Sequence, residues 1–135
     1  MLIKEITYND FSDWVKMAVS ENIVFSNHTN YYGLFDDNKL VAITGIVFYK
    51  NSVKFKNHYV PMENRGKGYF KILLDFSIKV AIKNNAKKIM ATCTDKSINE
   101  YLKRGAIIVR KYKNCSTVII NLWNFLVIKM YLRPD

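Results

Sequence analysis

Four polar residues, Lys71, Asp75, Lys79 and Lys83, stand four positions apart, with Phe70, Leu73, Leu74, Ile78 and Ala81 between them. An α-helix turns once in about 3.6 residues, so this spacing predicts a helix from Tyr69 to about Asn84 with one wet stripe and a broad apolar face fit to lie on a sheet. The runs on either side, Val53 to Val60 and Lys88 to Thr92, read as strands. A helix that crosses between two strands of one sheet leaves them parallel. Yet Tyr31 to Phe35, Leu40 to Tyr49 and Val53 to Val60 are separated only by the turn formers Asp36-Asp37-Asn38-Lys39 and Lys50-Asn51-Ser52, which predicts an antiparallel meander. A chain with both features folds as a mixed sheet with helices on its faces.

The remaining segments fit that frame. Leu2 to Tyr8 alternates as a first strand, and Asn9 is placed to cap a helix carrying Phe11, Trp14, Val15 and Ala18 on one face. Ile23-Val24-Phe25 predicts a short second helix before a loop that holds His28. After the crossover, Asn84-Asn85 end the long helix and Ser97 to Arg104 forms another, closed by Gly105. Ala106 to Tyr112 and Thr117 to Trp123 supply two last strands joined at Lys113-Asn114-Cys115-Ser116. The predicted class is α/β with a mixed, mostly antiparallel sheet of about seven strands. With 135 residues, 50% of them hydrophobic, and no repeat or Pro/Gly/Ser linker, the chain is expected to be a single domain over 1–135.

Lys and Arg outnumber Asp and Glu by 21 to 11, spread along the chain and not gathered in a tail. The balance favours anionic partners such as nucleotide phosphates, nucleic acid or an acidic protein surface, and it equally describes an ordinary solvated exterior. Cys93 and Cys115 form no CxxC and have no His at zinc-ligand spacing, so thiols in a reduced, cytoplasmic setting are expected and no metal is. Met1 to Glu5 lacks the apolar run of a signal peptide. Val118 to Leu132 is apolar but is interrupted by Asn121, Asn124 and Lys129 and falls short of the roughly 18 to 20 residues of a membrane span.

The chemistry concentrates where the third strand of the meander meets the long helix, at Val60-Pro61-Met62-Glu63-Asn64-Arg65-Gly66-Lys67-Gly68-Tyr69. A helix N-terminus carries unsatisfied N–H groups and about half a positive charge, and glycines before it let a bulky anion approach the backbone. Arg65, Lys67 and Lys71 add full charges, so a phosphate or pyrophosphate is the natural guest, against the plainer reading of a tight turn with solvated lysines. A nucleoside triphosphate P-loop, G-x-x-x-x-G-K-[ST], is absent, and a dinucleotide fingerprint would need a third glycine and a later acidic residue.

The same run resembles the pyrophosphate loop of the GNAT superfamily of N-acetyltransferases, Q/R-x-x-G-x-G/A, with Arg65 at the Q/R and Gly68 at the first required glycine. A second stretch, Tyr101-Leu102-Lys103-Arg104-Gly105-Ala106, is similar to that family's Y-x-K-x-G-F, with Tyr101, Lys103 and Gly105 in register. Phe70 departs from the pattern where the family has Gly or Ala, leaving either a helix end further from the pyrophosphate or a ring beside the pantetheine, and Ala106 replaces the Phe. The resemblance spans roughly residues 2 to 123.

It implies acetyl-CoA as cofactor, held by His58, Tyr59 and Val60 on the strand and by Arg65, Gly66, Lys67, Gly68, Tyr69, Phe70 and Lys71 of the loop and helix start. The acyl arm is expected in a gap edged by His58-Tyr59-Val60 and Ala91-Thr92-Cys93, with a backbone N–H near Val60 polarising the thioester. An amine attacks directly, Tyr101 serves as the general acid that protonates the departing thiolate, and His58 is the nearest base, since no Asp or Glu lies between Val53 and Pro61. Glu63, Glu100 and Asp95 stand behind it. The acceptor is not readable; the basic surface and the hairpin Lys50 to Lys56 favour a macromolecule, protein or nucleic acid, and a homodimer is among the expectations. The rival reading is a GNAT-shaped binding module without transfer chemistry, supported by Phe70 and by the missing strand carboxylate.

Overall fold

The computed structural model describes residues 1–21 and 23–122. In chain order the elements are β1 (Leu2–Ile6), α1 (Tyr8–Phe11), a 3-10 turn (Ser12–Trp14), α2 (Val15–Ser20), β2 (Asn30–Asp36), β3 (Lys39–Phe48), β4 (Ser52–Tyr59), a second 3-10 turn (Met62–Asn64), α3 (Tyr69–Lys83), β5 (Lys88–Thr94), α4 (Ile98–Lys103), β6 (Ile107–Lys111) and β7 (Cys115–Asn121). The strands form a seven-stranded sheet in the order β1-β2-β3-β4-β5-β7-β6, with one parallel pair and the rest antiparallel. This is the mixed sheet that the crossover helix requires. Contacts divide the chain into two compact units.

The first unit comprises residues 1–47 and 55–77. β1 pairs antiparallel with β2 from Leu2↔Phe35 to Ile6↔Tyr31, and β2 pairs antiparallel with β3. The β2–β3 turn works because Asp37 and Asn38 adopt φ of 52° and 64°, a conformation that short polar side chains tolerate and that matches the twist of a two-residue hairpin. Ile6, Phe11, Ala18, Tyr31, Ile43 and Tyr59 form one buried cluster with Trp14 packed against it, while Leu34, Val41, Ala42, Tyr69 and Leu73 form another. Within β4, Asn57 has φ 57°. A left-handed residue inside a strand slips the alternation of faces, so Phe55 and His58, three apart, bring their rings to 6.3 Å, and Tyr59 turns to Trp14 at 6.2 Å.

Two expectations for the N-terminal region are corrected. α1 is capped by Thr7, not Asn9: the Thr7 N–H donates to Asp10 Oδ2 at 2.7 Å in a capping box two residues earlier than predicted. The helix predicted over Ile23-Val24-Phe25 is irregular chain. There the Phe25 ring sits 5.0 Å from Phe11 and 5.8 Å from Tyr31, and the Ser26 N–H donates to Tyr31 Oη at 2.9 Å. Tertiary contacts to β2 replace the local helical bonds.

The described part of the second unit comprises residues 48–54 and 78–122. β7 pairs antiparallel with β5 from Lys88↔Asn121 to Thr94↔Cys115, and with β6 on its other side. Asn85, at φ 58°, ends α3, and Gly105, at φ 88°, ends α4, with the Ala106 N–H reaching back to Tyr101 O at 3.1 Å. Along α3 the stripe Lys71, Asp75, Lys79 and Lys83 is exposed while Leu73, Leu74 and Ala81 are buried, as the four-residue spacing demands. Trp123 of the last predicted strand, and residues 124–132 of the apolar run, lie outside the described residues. Among the described residues no helix is long and apolar enough to cross a membrane.

Candidate active site

The loop between β4 and α3 is built to hold its backbone open. Pro61 leads into the 3-10 turn, where the Asn64 N–H donates to Pro61 O at 2.9 Å and the Arg65 N–H to Met62 O at 3.2 Å. Asn64 is buried, and its Nδ2 donates to Val41 O at 3.2 Å, tying the turn to β3. Gly66 and Gly68 follow at φ 79° and 82°, and a Cβ at either would meet nothing within 4 Å. The glycines are therefore required by conformation, which costs an L side chain about 1–2 kcal/mol, and the space above them is clear. The Ile72 N–H donates to Gly68 O at 3.2 Å, which starts the helix, and Tyr69 Oη donates to Asp36 Oδ2 at 2.7 Å, which pins its first residue to the end of β2. A fifteen-residue helix directs its positive end at this open loop, with Lys67 and Lys71 exposed beside it.

Arg65 behaves differently from its lysine neighbours. Its Nε donates to Val60 O at 2.8 Å and its Nη2 meets Glu21 Oε1 at 2.6 Å. The other oxygen of Glu21 accepts from Tyr59 Oη at 3.0 Å. The guanidinium thus fastens the loop to the end of β4 and to the residue that follows α2. Burial, then the bond and charge of Glu21, push the Tyr59 phenol up to about 12. Nothing local in the sequence announces Glu21, which lies 44 positions before its partner.

Phe70 is turned onto β4, its ring 4.9 Å from His58, and none of its atoms lies within 4 Å of where a Cβ on Gly66 or Gly68 would sit. The departure from the small residue of the motif therefore leaves the mouth of the loop clear. His58 pays attention to β3 instead of solvent: Nδ1 lies 3.1 Å from Thr44 Oγ1, and Nε2 is enclosed without a partner. Burial lowers the imidazole from 6.5 to about 3. The sequence-based role of His58 as general base rested on a neutral titration range, and the packing removes that range. The residue still keeps some exposed surface, and its backbone remains at the end of β4 beside Tyr59 and Val60.

Tyr101 and Cys93 belong to the second unit. Tyr101 is 4% exposed on α4, and burial followed by the nearby Cys93 raises its phenol well above the usual range, so it stays protonated at any physiological pH. Cys93 is a buried thiol whose Sγ lies 3.5 Å from Ser116 O, and burial raises it too. It has the surroundings of a packed strand residue. Of the lesser base candidates, Glu100 is paired with Lys103 at 3.4 Å and with Arg104 at 2.9 Å, whereas Glu63 and Asp95 are exposed. His28, expected in a loop, is an exposed turn residue.

No protein-family model and no characterised protein matches the sequence. Solved structures match in shape. The spermidine/spermine N-acetyltransferase SpeG of Vibrio cholerae superposes with a TM-score of 0.76 at 13% identity, covering 95% of this chain and 97% of that one. The PaiA N-acetyltransferase of Thermoplasma acidophilum, in complex with coenzyme A, gives 0.69 at 13% identity over 90% and 99%. Ard1 of Thermoplasma volcanium gives 0.70 at 15% over 89% and 96%. The fold of this chain is the GNAT acetyltransferase fold.

Proposed function

We propose that the chain is an N-acyltransferase that uses acetyl-CoA as donor and a primary amine as acceptor. The observation that carries this reading is the loop of Gly66 and Gly68, left-handed and open, at the mouth of α3 with Lys67 and Lys71 beside it. A pyrophosphate is the guest whose size and charge suit such a cradle. The shared fold, in which a solved relative carries coenzyme A, supports the same ligand. In this reading the backbone from Arg65 to Lys71 holds the pyrophosphate, and His58, Tyr59 and Val60 line the acyl arm along the end of β4. The N–H near Val60 polarises the thioester carbonyl. The amine, having lost the ammonium proton to solvent, bonds through its nitrogen to that carbon as the carbon–sulfur bond breaks; Tyr101, a phenol kept protonated by burial, gives its proton to the thiolate, and the proton that the new amide nitrogen sheds returns through water to the phenolate. His58, its Nε2 enclosed and its titration lowered to about 3, is too weakly basic to be assigned that proton.

The test is thermal unfolding with acetyl-CoA and, separately, with ATP. A ligand bound only by the folded state at a hundred times its Kd stabilises by about 2.7 kcal/mol, a shift that is easily read. Stabilisation by acetyl-CoA and none by ATP is expected; no shift at saturating acetyl-CoA overturns the proposal and returns the chain to a binding module with a GNAT shape. Mass spectrometry of amines incubated with labelled acetyl-CoA then identifies acceptors.

A further inference from the structure

Within the first unit a cavity of about 370 Å³ is lined by Met17, Ser20, Glu21, Tyr59, Met62 and Glu63. Its volume falls in the range of small-molecule sites. Its polar groups differ in what they have left to offer. Ser20 Oγ donates to Met17 O at 2.6 Å, Tyr59 Oη donates to Glu21, and both oxygens of Glu21 are taken, by Tyr59 and Arg65. Glu63 has neither a hydrogen bond nor an ion pair among the described residues, yet its charge is felt at the Tyr59 phenol, which it helps to raise. Two carboxylates, Glu21 and Glu63, line the hollow in a chain whose formal net charge is +10, and among the described residues the guanidinium at its edge is that of Arg65. Two of only eleven acidic residues converge on this one hollow. The rest of the wall is thioether: Met17 is 43% and Met62 73% exposed, flexible apolar surfaces of the kind that adapt to varied ligands.

We propose that this cavity binds a small primary amine as its ammonium ion, with Glu63 receiving the charge and Met17 and Met62 covering an apolar body. The occupant is a cation because the Glu63 carboxylate meets no counter-charge among the described residues, and a hollow of about 370 Å³ suits a small one. The role of that amine as acceptor rests on the acyl-transfer reading; its binding does not. The site also bears on the acceptor's class, since a macromolecule chosen by the basic exterior would be anionic where it touches the protein, whereas this cavity selects the opposite sign.

The experiment is an NMR titration of the full chain, alone and with coenzyme A present, using 2-phenylethylamine and 3-phenylpropionate, which share a ring and a short chain but carry opposite charges. The amine is expected to bind in at least one of the two conditions, to weaken as salt is added, and to bind about 3- to 5-fold more weakly to Glu63→Gln, the range for an exposed, screened charge pair. Phenylpropionate is expected not to bind. Equal binding of the anion, an unchanged amine affinity in Glu63→Gln, or no amine binding in either condition overturns the assignment. The thermal shift with acetyl-CoA on the same sample separates the two claims: a protein that binds acetyl-CoA but not the amine loses this site and keeps the acyl-transfer reading.

Discussion

The enclosed imidazole of His58 makes the folded state sensitive to acid. The folded protein holds the ring at about 3, below its ordinary 6.5, so as pH falls the unfolded chain takes up a proton first. Stability contributed by the neutral ring is fully present above pH 6.5 and drains away through the window from 6.5 down to 3, at about 1.4 kcal/mol per pH unit. At pH 5 the loss comes to about 2 kcal/mol, and it stays near that figure wherever below 4 the folded value lies, because almost none of the folded ring is then charged. The matched variant is His58→Gln, which cannot titrate but keeps a polar atom within reach of Thr44 Oγ1, a fully buried hydroxyl. Urea unfolding at pH 7.5 and pH 5.0 gives a stability difference for each protein, and carboxylates common to both cancel. The wild type should lose about 2 kcal/mol more than His58→Gln across that interval. Equal losses, or a His58 ring resonance that titrates near 6.5 in the native protein, would refute the enclosure of Nε2.

Gly68→Asp should leave the chain folded, at about 1 kcal/mol of backbone strain, and reduce acetyl-CoA affinity at least tenfold by calorimetry, because a side chain and a negative charge enter the open cradle; Lys67→Ala should cost clearly less, since backbone donors remain. Tyr101→Phe keeps the buried ring and removes the proton, so kcat should fall by about 10- to 1000-fold with acetyl-CoA binding unchanged, whereas a purely structural Tyr101 would show near-normal turnover and a lower melting temperature. Glu21→Gln weakens a half-exposed ion pair and should lower the melting temperature by only about 2–5 °C; a larger fall would mean that Glu21 organises more than Arg65 and Tyr59.

What could be read from the sequence was what is decided within a few residues. The four-residue stripe of α3, the turn at Asp37 and Asn38, and the glycine ending α4 depend on local geometry, and each was legible from residue type and spacing. The misplaced cap shows the limit of that reading: Thr7 and Asn9 are both good caps, and only the bond from the Thr7 N–H to Asp10 chooses between them. Phe25 would suit a helix in isolation, but the rings of Phe11 and Tyr31 offer it more. Glu21 had no signal at all, because an ion pair across 44 residues exists only once β4 and the end of α2 have been brought together. Asn57 left a faint one, a residue tolerant of left-handed φ inside a run of strand formers.

That faint signal matters, because it joins two departures that look unrelated in the sequence. The loop motif has a large aromatic, Phe70, where a small residue is the pattern, and the preceding strand offers a histidine, His58, in place of a carboxylate. In the structure these are one packing event. The left-handed Asn57 swings His58 to the side of β4 that carries Phe55, and the Phe70 ring, 4.9 Å away, closes over it. The ring is thereby stored against the strand and away from the open loop of Gly66 and Gly68; the same contact helps to strip the imidazole of water, and burial lowers it to about 3, away from the range that suits a base at neutral pH. Phe70→Ala should then undo both at once. Uncovering the ring should raise the His58 titration toward 6.5, read by NMR, and flatten the acid-induced loss of stability between pH 6.5 and 5, while the lost aromatic contact lowers stability at pH 7.5 by up to about 3–5 kcal/mol if the site cannot collapse. A His58 titration that stays near 3 in a folded Phe70→Ala protein would show that β3 and Phe55 alone enclose the ring, and the two departures would be separate after all.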